Sequence, residues 1–245
     1  MMDADRERAV IAATEHGNKV NFHGEMRVVT LNSRNAVDDV LPLLKDLPEL
    51  RELQIACVPL TPEDLVTIGE LRSLVVLRLA DCGLTGDETL PLGNLTSVAS
   101  LNLLKNPLTD RGMRFMNSMK SLQRVDLTGT RIRGEGVRYL ASLPQLRELW
   151  LSYTLIDDHT IGYCAELNQL QQLHVNQTDV SANGLAKLTD LHWLEGIAVP
   201  DRISWDDRER LGDAFIASRR QARAAGEAVP THDNSPFGRN PYRTN

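Results

Sequence analysis

The aliphatic residues of this chain return every 24 positions from Met26 to Leu194. One column reads Met26, Leu50, Leu74, Val98, Leu122, Leu146, Leu170, Leu194. Three residues on, a second reads Val29, Leu53, Leu77, Leu101, Val125, Leu149, Leu173, Ile197, and two further on a third reads Leu31, Ile55, Leu79, Leu103, Leu127, Leu151, Val175, Val199. A fixed period of this length excludes a globule around one central core. It demands a stack of like units, each burying its apolar side against its neighbours.

Each unit has two halves. In the unit 122–145 (LQRVDLTGTRIRGEGVRYLASLPQ) apolar and polar residues alternate around Val125, Asp126 and Leu127, the period of a strand with one buried face. Val137, Leu140 and Leu143 then follow at a spacing of three, as on a short helix or 3₁₀ turn, and Ile132 plugs the turn between the halves. Thr61, Thr85, Thr109, Asp157 and Ser181 stand where the helical half begins and are expected as N-caps. Pro62 suits a first helical position, and Thr85 to Glu88 has the spacing of a capping box. Stacked units would pair their strands in parallel at about 4.8 Å. Helices are wider than strands, so the stack must curve with its sheet inside.

The pattern LxxLxLxx(C/N/T)x(L/I), clearest in LQRVDLTGTRI, LRELWLSYTLI and LVVLRLADCGL, resembles the leucine-rich repeat family. The second halves LTDRGMRFMNSM, IRGEGVRYLASL and VSANGLAKLTDL look like its bacterial 24-residue subtype. The resemblance spans about residues 26 to 204 and weakens at Arg34 and Ala36 in the first unit and at Arg202 and Ser204 in the last. It implies an α/β solenoid, a curved horseshoe with a parallel sheet on the concave face and short helices on the convex face. Members of the family mostly serve as recognition scaffolds, so a non-enzymatic role is implied too.

Four segments are expected. Residues 1–25 form an N-terminal helical cap, with a helix over 3–16 that turns Val10 and Ile11 inward and stops at Gly17. Residues 26–204 hold about eight repeats, and 205–226 a capping helix that turns Leu211, Phe215, Ile216 and Trp205 towards the last repeat. Residues 227–245, with three prolines and no periodicity, read as a disordered tail, with a linear motif around Phe237 to Tyr242 as the alternative.

A net charge of -6 argues against a sequence-independent nucleic-acid binder. No apolar run approaches membrane-spanning length, and the charged start MMDADRER is unlike a signal peptide, so a cytoplasmic monomer off the membrane is expected. Cys82 and Cys164 fall in buried columns and Cys57 in an outward one, with no spacing for a disulfide or a CxxC site. His16, His23, His159, His192 and His232 show no metal spacing, and Cys57 and His174 lie five units apart, roughly 24 Å at one strand spacing per unit. No catalytic group, metal or cofactor is expected. Two sequons, at Asn94 and Asn176, sit in regular repeat positions and read as chance.

Binding is the better prospect. The middle outward column includes Arg78, Asn102, Asp126, Trp150 and His174; its flanking column includes Arg124, Glu148 and Gln172. Tyr153 lies just past its strand, and Leu104 is outward by phase. With aromatics only 4% of the chain, Trp150 and Tyr153 together on one open face suggest interface anchors. The plainer reading is that Trp150 covers its neighbours and Arg124 forms a surface ion pair with Glu148. The expected function is a scaffold that holds a partner protein on the concave sheet. A glycan or small-ligand sensor built on Trp150 and Tyr153, or an accessory subunit of an enzyme or signalling complex, are the alternatives.

Overall fold

The computed structural model describes residues 20–23 and 26–238. They form one nine-stranded sheet in strict chain order: β1 (Val20–His23), β2 (Met26–Leu31), β3 (Leu50–Ala56), β4 (Val76–Ala80), β5 (Ser100–Asn102), β6 (Arg124–Asp126), β7 (Glu148–Trp150), β8 (Gln172–His174) and β9 (Gly196–Ala198). β1 runs antiparallel to β2, and every later pair is parallel. Register follows the sequence period: Leu53 pairs Leu77, Leu101 pairs Val125, and Leu149 pairs Leu173. A shift between Arg27 and Val28 is the one irregularity in that ladder.

The apolar columns form one continuous core. Leu53, Leu77, Leu101, Val125, Leu149 and Leu173 are all buried, as are the helical-half residues Val137, Leu140 and Leu143 of the same unit. At one turn phase, buried polar side chains are satisfied unit by unit. Asn106 donates from Nδ2 to the carbonyls of Leu79 and Leu103, and its Oδ1 accepts from the backbone N–H groups of Cys82 and Leu84. Thr130, Thr154 and Thr178, in the same phase, each donate to the carbonyl three residues back. An unsatisfied buried donor or acceptor costs about 1–3 kcal/mol, so this phase selects small hydrogen-bonding side chains.

The helical halves are α1 (Arg34–Val40), α2 (Pro62–Gly69), α3 (Glu135–Ala141) and α4 (Ala182–Leu185), with 3₁₀ segments at Leu41–Asp46, Asp87–Asn94, Asp110–Ser118, Thr160–Glu166 and Ala186–Leu188. Thr61 caps α2 in a full capping box with Asp64, and Ser181 caps α4. Asp157 accepts from the N–H groups of His159 and Thr160. Thr109 stands at the N-cap of its 3₁₀ segment without a side-chain capping bond, and Gly86 takes that place instead of Thr85. Glu88 Oε1 takes the N–H groups of Thr85 and Gly86 and the Thr85 hydroxyl, while the Thr109 hydroxyl donates to the Thr85 carbonyl and stitches one repeat to the next. Glycine in the second half is forced by contact: a Cβ at Gly136 would sit 2.7 Å from Asp110 Oδ1, and one at Gly184 2.2 Å from Asp158 Oδ1.

The ends differ from the expectation. Helix 3–16 lies outside the described residues, and within the expected helical cap Val20–His23 is a strand that pairs along β2. At the other end α5 (Trp205–Ala224) is capped by Ser204 and buries Leu211 and Phe215 against the last repeat; Ile216 and Trp205 are only half-buried, and Arg208 stacks on the Trp205 ring at 4.8 Å.

Residues 227–238, expected as the start of a disordered tail, fold back as a strap. The Pro236 carbonyl accepts from the Ile197 N–H on the edge of β9, and Phe237 meets Phe215 edge to face at 5.9 Å. Arg219, fully buried, clasps three pieces together: Nε donates to the His192 carbonyl (2.8 Å), Nη1 to that of Asn234 (2.6 Å) and Nη2 to that of Leu194. Burial pushes its pKa down, and Glu195 and Asp233 pull it back up. Arg220 and Arg223 both bond Asp233, whose carboxyl the two guanidiniums hold below the usual carboxylate range. Composition suggested disorder because these contacts join a helix to backbone carbonyls, which carry no signature of their own.

Candidate functional site

Parallel pairing in register sets the outward residues side by side. Arg78, Asn102, Asp126, Trp150 and His174 are consecutive partners across β4 to β8. Ser100, Arg124, Glu148, Gln172 and Gly196 form the next row, from β5 to β9. Each outward side chain is exposed or half-buried, whereas the residue beside it on the same strand is fully buried.

Six of the ten expected residues come together around one depression of about 350 Å³: Arg78, Asn102, Arg124, Asp126, Glu148 and Trp150, with Ser100 and Leu101. Arg78 Nε is bonded to Glu52 Oε1 at 3.0 Å, and Gln54 bonds the same oxygen. Asn102 donates to Asp126 Oδ2 at 2.9 Å. Both also close their strand ends, since Asn102 Oδ1 accepts from the Leu104 N–H and Asp126 Oδ1 from the Thr128 N–H. These two residues are therefore partly architectural, which the sequence reading did not foresee.

Trp150 and His174 stack across β7 and β8, with ring centroids 5.4 Å apart and planes tilted by 33°. Burial lowers the His174 pKa, and Asp126 and Glu148 pull it back up; the net direction is down. The Arg124–Glu148 ion pair of the plainer reading is not formed. The two are neighbours in register, but among the described residues Arg124 makes no ion pair.

Gln172 and His174 belong to a second, larger trough of about 850 Å³. Its floor is Gly196, Ile197 and Ala198 on β9, and its far wall is Ile216 with the strap residues Asp233 to Gly238. The Gln172 amide lies over Gly196, where a Cβ would meet its Oε1 at 2.1 Å. Sequence reasoning missed this trough because its wall is the segment read as disordered.

Leu104 and Tyr153 line neither hollow. Just past the strands the backbone turns through the left-handed region at Cys57, Asp81, Lys105, Tyr153 and Gln177, with φ between 53° and 58°, and at Gly129 in the same phase. A non-glycine residue there costs roughly 1–2 kcal/mol. Tyr153 bears that cost with its side chain 64% exposed, and Leu155 beside it is 46% exposed. Neither stabilises the solenoid by burial.

Burial pushes the Cys82 and Cys164 thiols up to about 12, and Cys57 is exposed. Among the described residues no helix is long and apolar enough to cross a membrane.

Comparisons agree with this architecture. Residues 118–141, one repeat length, match the family model described as Leucine Rich repeat. No curated protein matches the chain in sequence. Among solved structures, internalin C2 from Listeria monocytogenes str. 4b F2365 aligns with a TM-score of 0.58 at 20% identity, over 80% of this chain and 93% of that one. A plant ice-binding protein aligns with a TM-score of 0.54 at 15% identity, over 80% of this chain and 70% of that one. The chain has the leucine-rich repeat solenoid fold, and one of its repeats matches that family's model. Identities this low carry the fold alone, and a fold does not imply a function.

Proposed function

We propose that the chain is a non-enzymatic interaction module that docks a partner protein on the concave sheet between Arg78 and His174. The observation that carries this reading is the pairing of Trp150, stacked on His174, with Tyr153, largely exposed in a strained backbone conformation. Aromatic and arginine side chains are the usual anchors of protein interfaces, and an apolar group left open on a repeat surface marks contact with something. Arg78, Asp126 and Glu148 would fix the partner's register. Capture from the native host's lysate, wild type beside a Trp150→Ala/Tyr153→Ala double variant, tests the reading. A protein held by wild type and released by the variant supports it; identical captures sink it.

A second reading is favoured by one feature the strap creates. The trough beside His174 has the volume of a small-molecule site, and an open curved sheet alone would enclose a glycan or small ligand poorly. Thermal-shift screening against a glycan set, with Gly196→Val to fill the floor, separates the two readings: a stabilisation lost only in that variant would assign the trough to a small ligand.

A further inference from the structure

The depression on the open sheet is zoned by charge. At one end Arg78 is neutralised by Glu52 at 3.0 Å. Arg124 stands next, without an ion pair among the described residues. At the other end Asp126 and Glu148 flank Trp150, and both carboxylates act on the stacked His174 ring. Two acids therefore converge on one aromatic pair.

We propose that this aromatic end seats a basic side chain, an arginine guanidinium or a lysine ammonium, presented by the docked protein. The proposal rests on the concave face being the docking surface. A cation over an indole face gains about 0.5–2 kcal/mol, more as water is excluded. Glu148 and Asp126 supply the charge-assisted acceptors that orient it. The Trp150–His174 pair is half-buried already, so the seat is partly dried before the ligand arrives. An anionic group is repelled by the same two carboxylates, and a purely apolar one would bury their charge with no counter-ion, since Asp126 has only the neutral donors Asn102 and the Thr128 N–H. Arg124, in register beside Glu148, is the competitor within the chain: its guanidinium draws on the same negative potential from the edge of the seat.

Selection of random short displayed peptides on the full chain tests this. Parallel panels carry the Trp150→Ala/Tyr153→Ala, Glu148→Gln and Arg124→Ala variants, each checked for native circular dichroism, and affinities of synthesised winners are read by calorimetry. The expected result is an enriched Arg or Lys whose replacement by Gln abolishes binding. Glu148→Gln should weaken these peptides about tenfold, and Arg124→Ala should strengthen them. Peptides that need Trp150 but no basic residue, or that ignore Glu148→Gln, overturn the cation seat and leave the docking face standing. Absence of any peptide sensitive to the Trp150/Tyr153 double variant overturns both.

Discussion

The repeat body and the C-terminal cap solve the same problem by opposite means. In the body, buried polar side chains such as Asn106 and Thr130 find their partners within their own unit or a neighbouring one, and the apolar ladder distributes stability over many near-equivalent contacts. In the cap, one guanidinium joins the last repeat, α5 and the strap. In the distributed structure every buried side chain is one of many equivalents; in the concentrated one three pieces depend on a single residue. The body should therefore answer to changes of volume, and the cap to loss of one charge.

The largest expected effect tests the body. Leu149 is fully buried on β7 between Val125 and Leu173, and Leu149→Ala should cost about 2–5 kcal/mol in denaturant unfolding. Trp150→Ala, one residue on, should cost clearly less, about 0.5–1.5 kcal/mol, because only its half-buried stack on His174 is lost. Equal losses from the two would break the assignment of faces.

Next comes the clasp. Arg219→Met keeps the length and removes the donors, leaving the carbonyls of His192, Leu194 and Asn234 without their partner. The expected loss is about 2–3 kcal/mol, since water enters as the strap lifts and re-solvates part of what is exposed. Hydrogen exchange localises it: the Ile197 amide, held by the Pro236 carbonyl, should lose protection while Leu101 and Val125 keep theirs. Uniform loss along the sheet would mean that cap and body form one cooperative unit, and the comparison would fail.

The same contrast explains what could be read from the chain. A period of 24 converts position into direction, so Trp150 outward and Leu149 inward followed from counting. Six of the expected site residues share one depression for that reason. Arg219, Arg220 and Arg223 were visible as a basic run on a helix, yet their acceptors are mostly backbone carbonyls, which have no residue type to recognise. Asp233, the one carboxylate among them, sits ten residues beyond Arg223 in a segment whose prolines and polar residues suggested disorder. The left-handed phase was equally hidden, because five of its six residues are not glycine. Function was legible only as far as an open aromatic pair; the seat between Asp126 and Glu148 required knowing which neighbours they already serve.

The smallest effect asks whether the open face contributes to the body's stability at all. His174 has its pKa lowered by burial under Trp150, against the pull of Asp126 and Glu148. A histidine whose folded pKa lies below its unfolded value of about 6.5 binds fewer protons when folded. Its contribution is fully present above that value and is lost as pH falls through the folded pKa. Thermal unfolding of wild type and His174→Gln between pH 7.5 and 5 should therefore converge: the wild-type advantage, if any, shrinks on acidification. The carboxylates with lowered pKa, Asp64, Glu88, Asp157 and Asp233, lose their contributions only further into acid, so the window belongs to the histidine. Parallel curves across that window would show that the Trp150–His174 stack is too well hydrated to perturb the ring. The face would then be neutral to the fold and free to be shaped by what it binds.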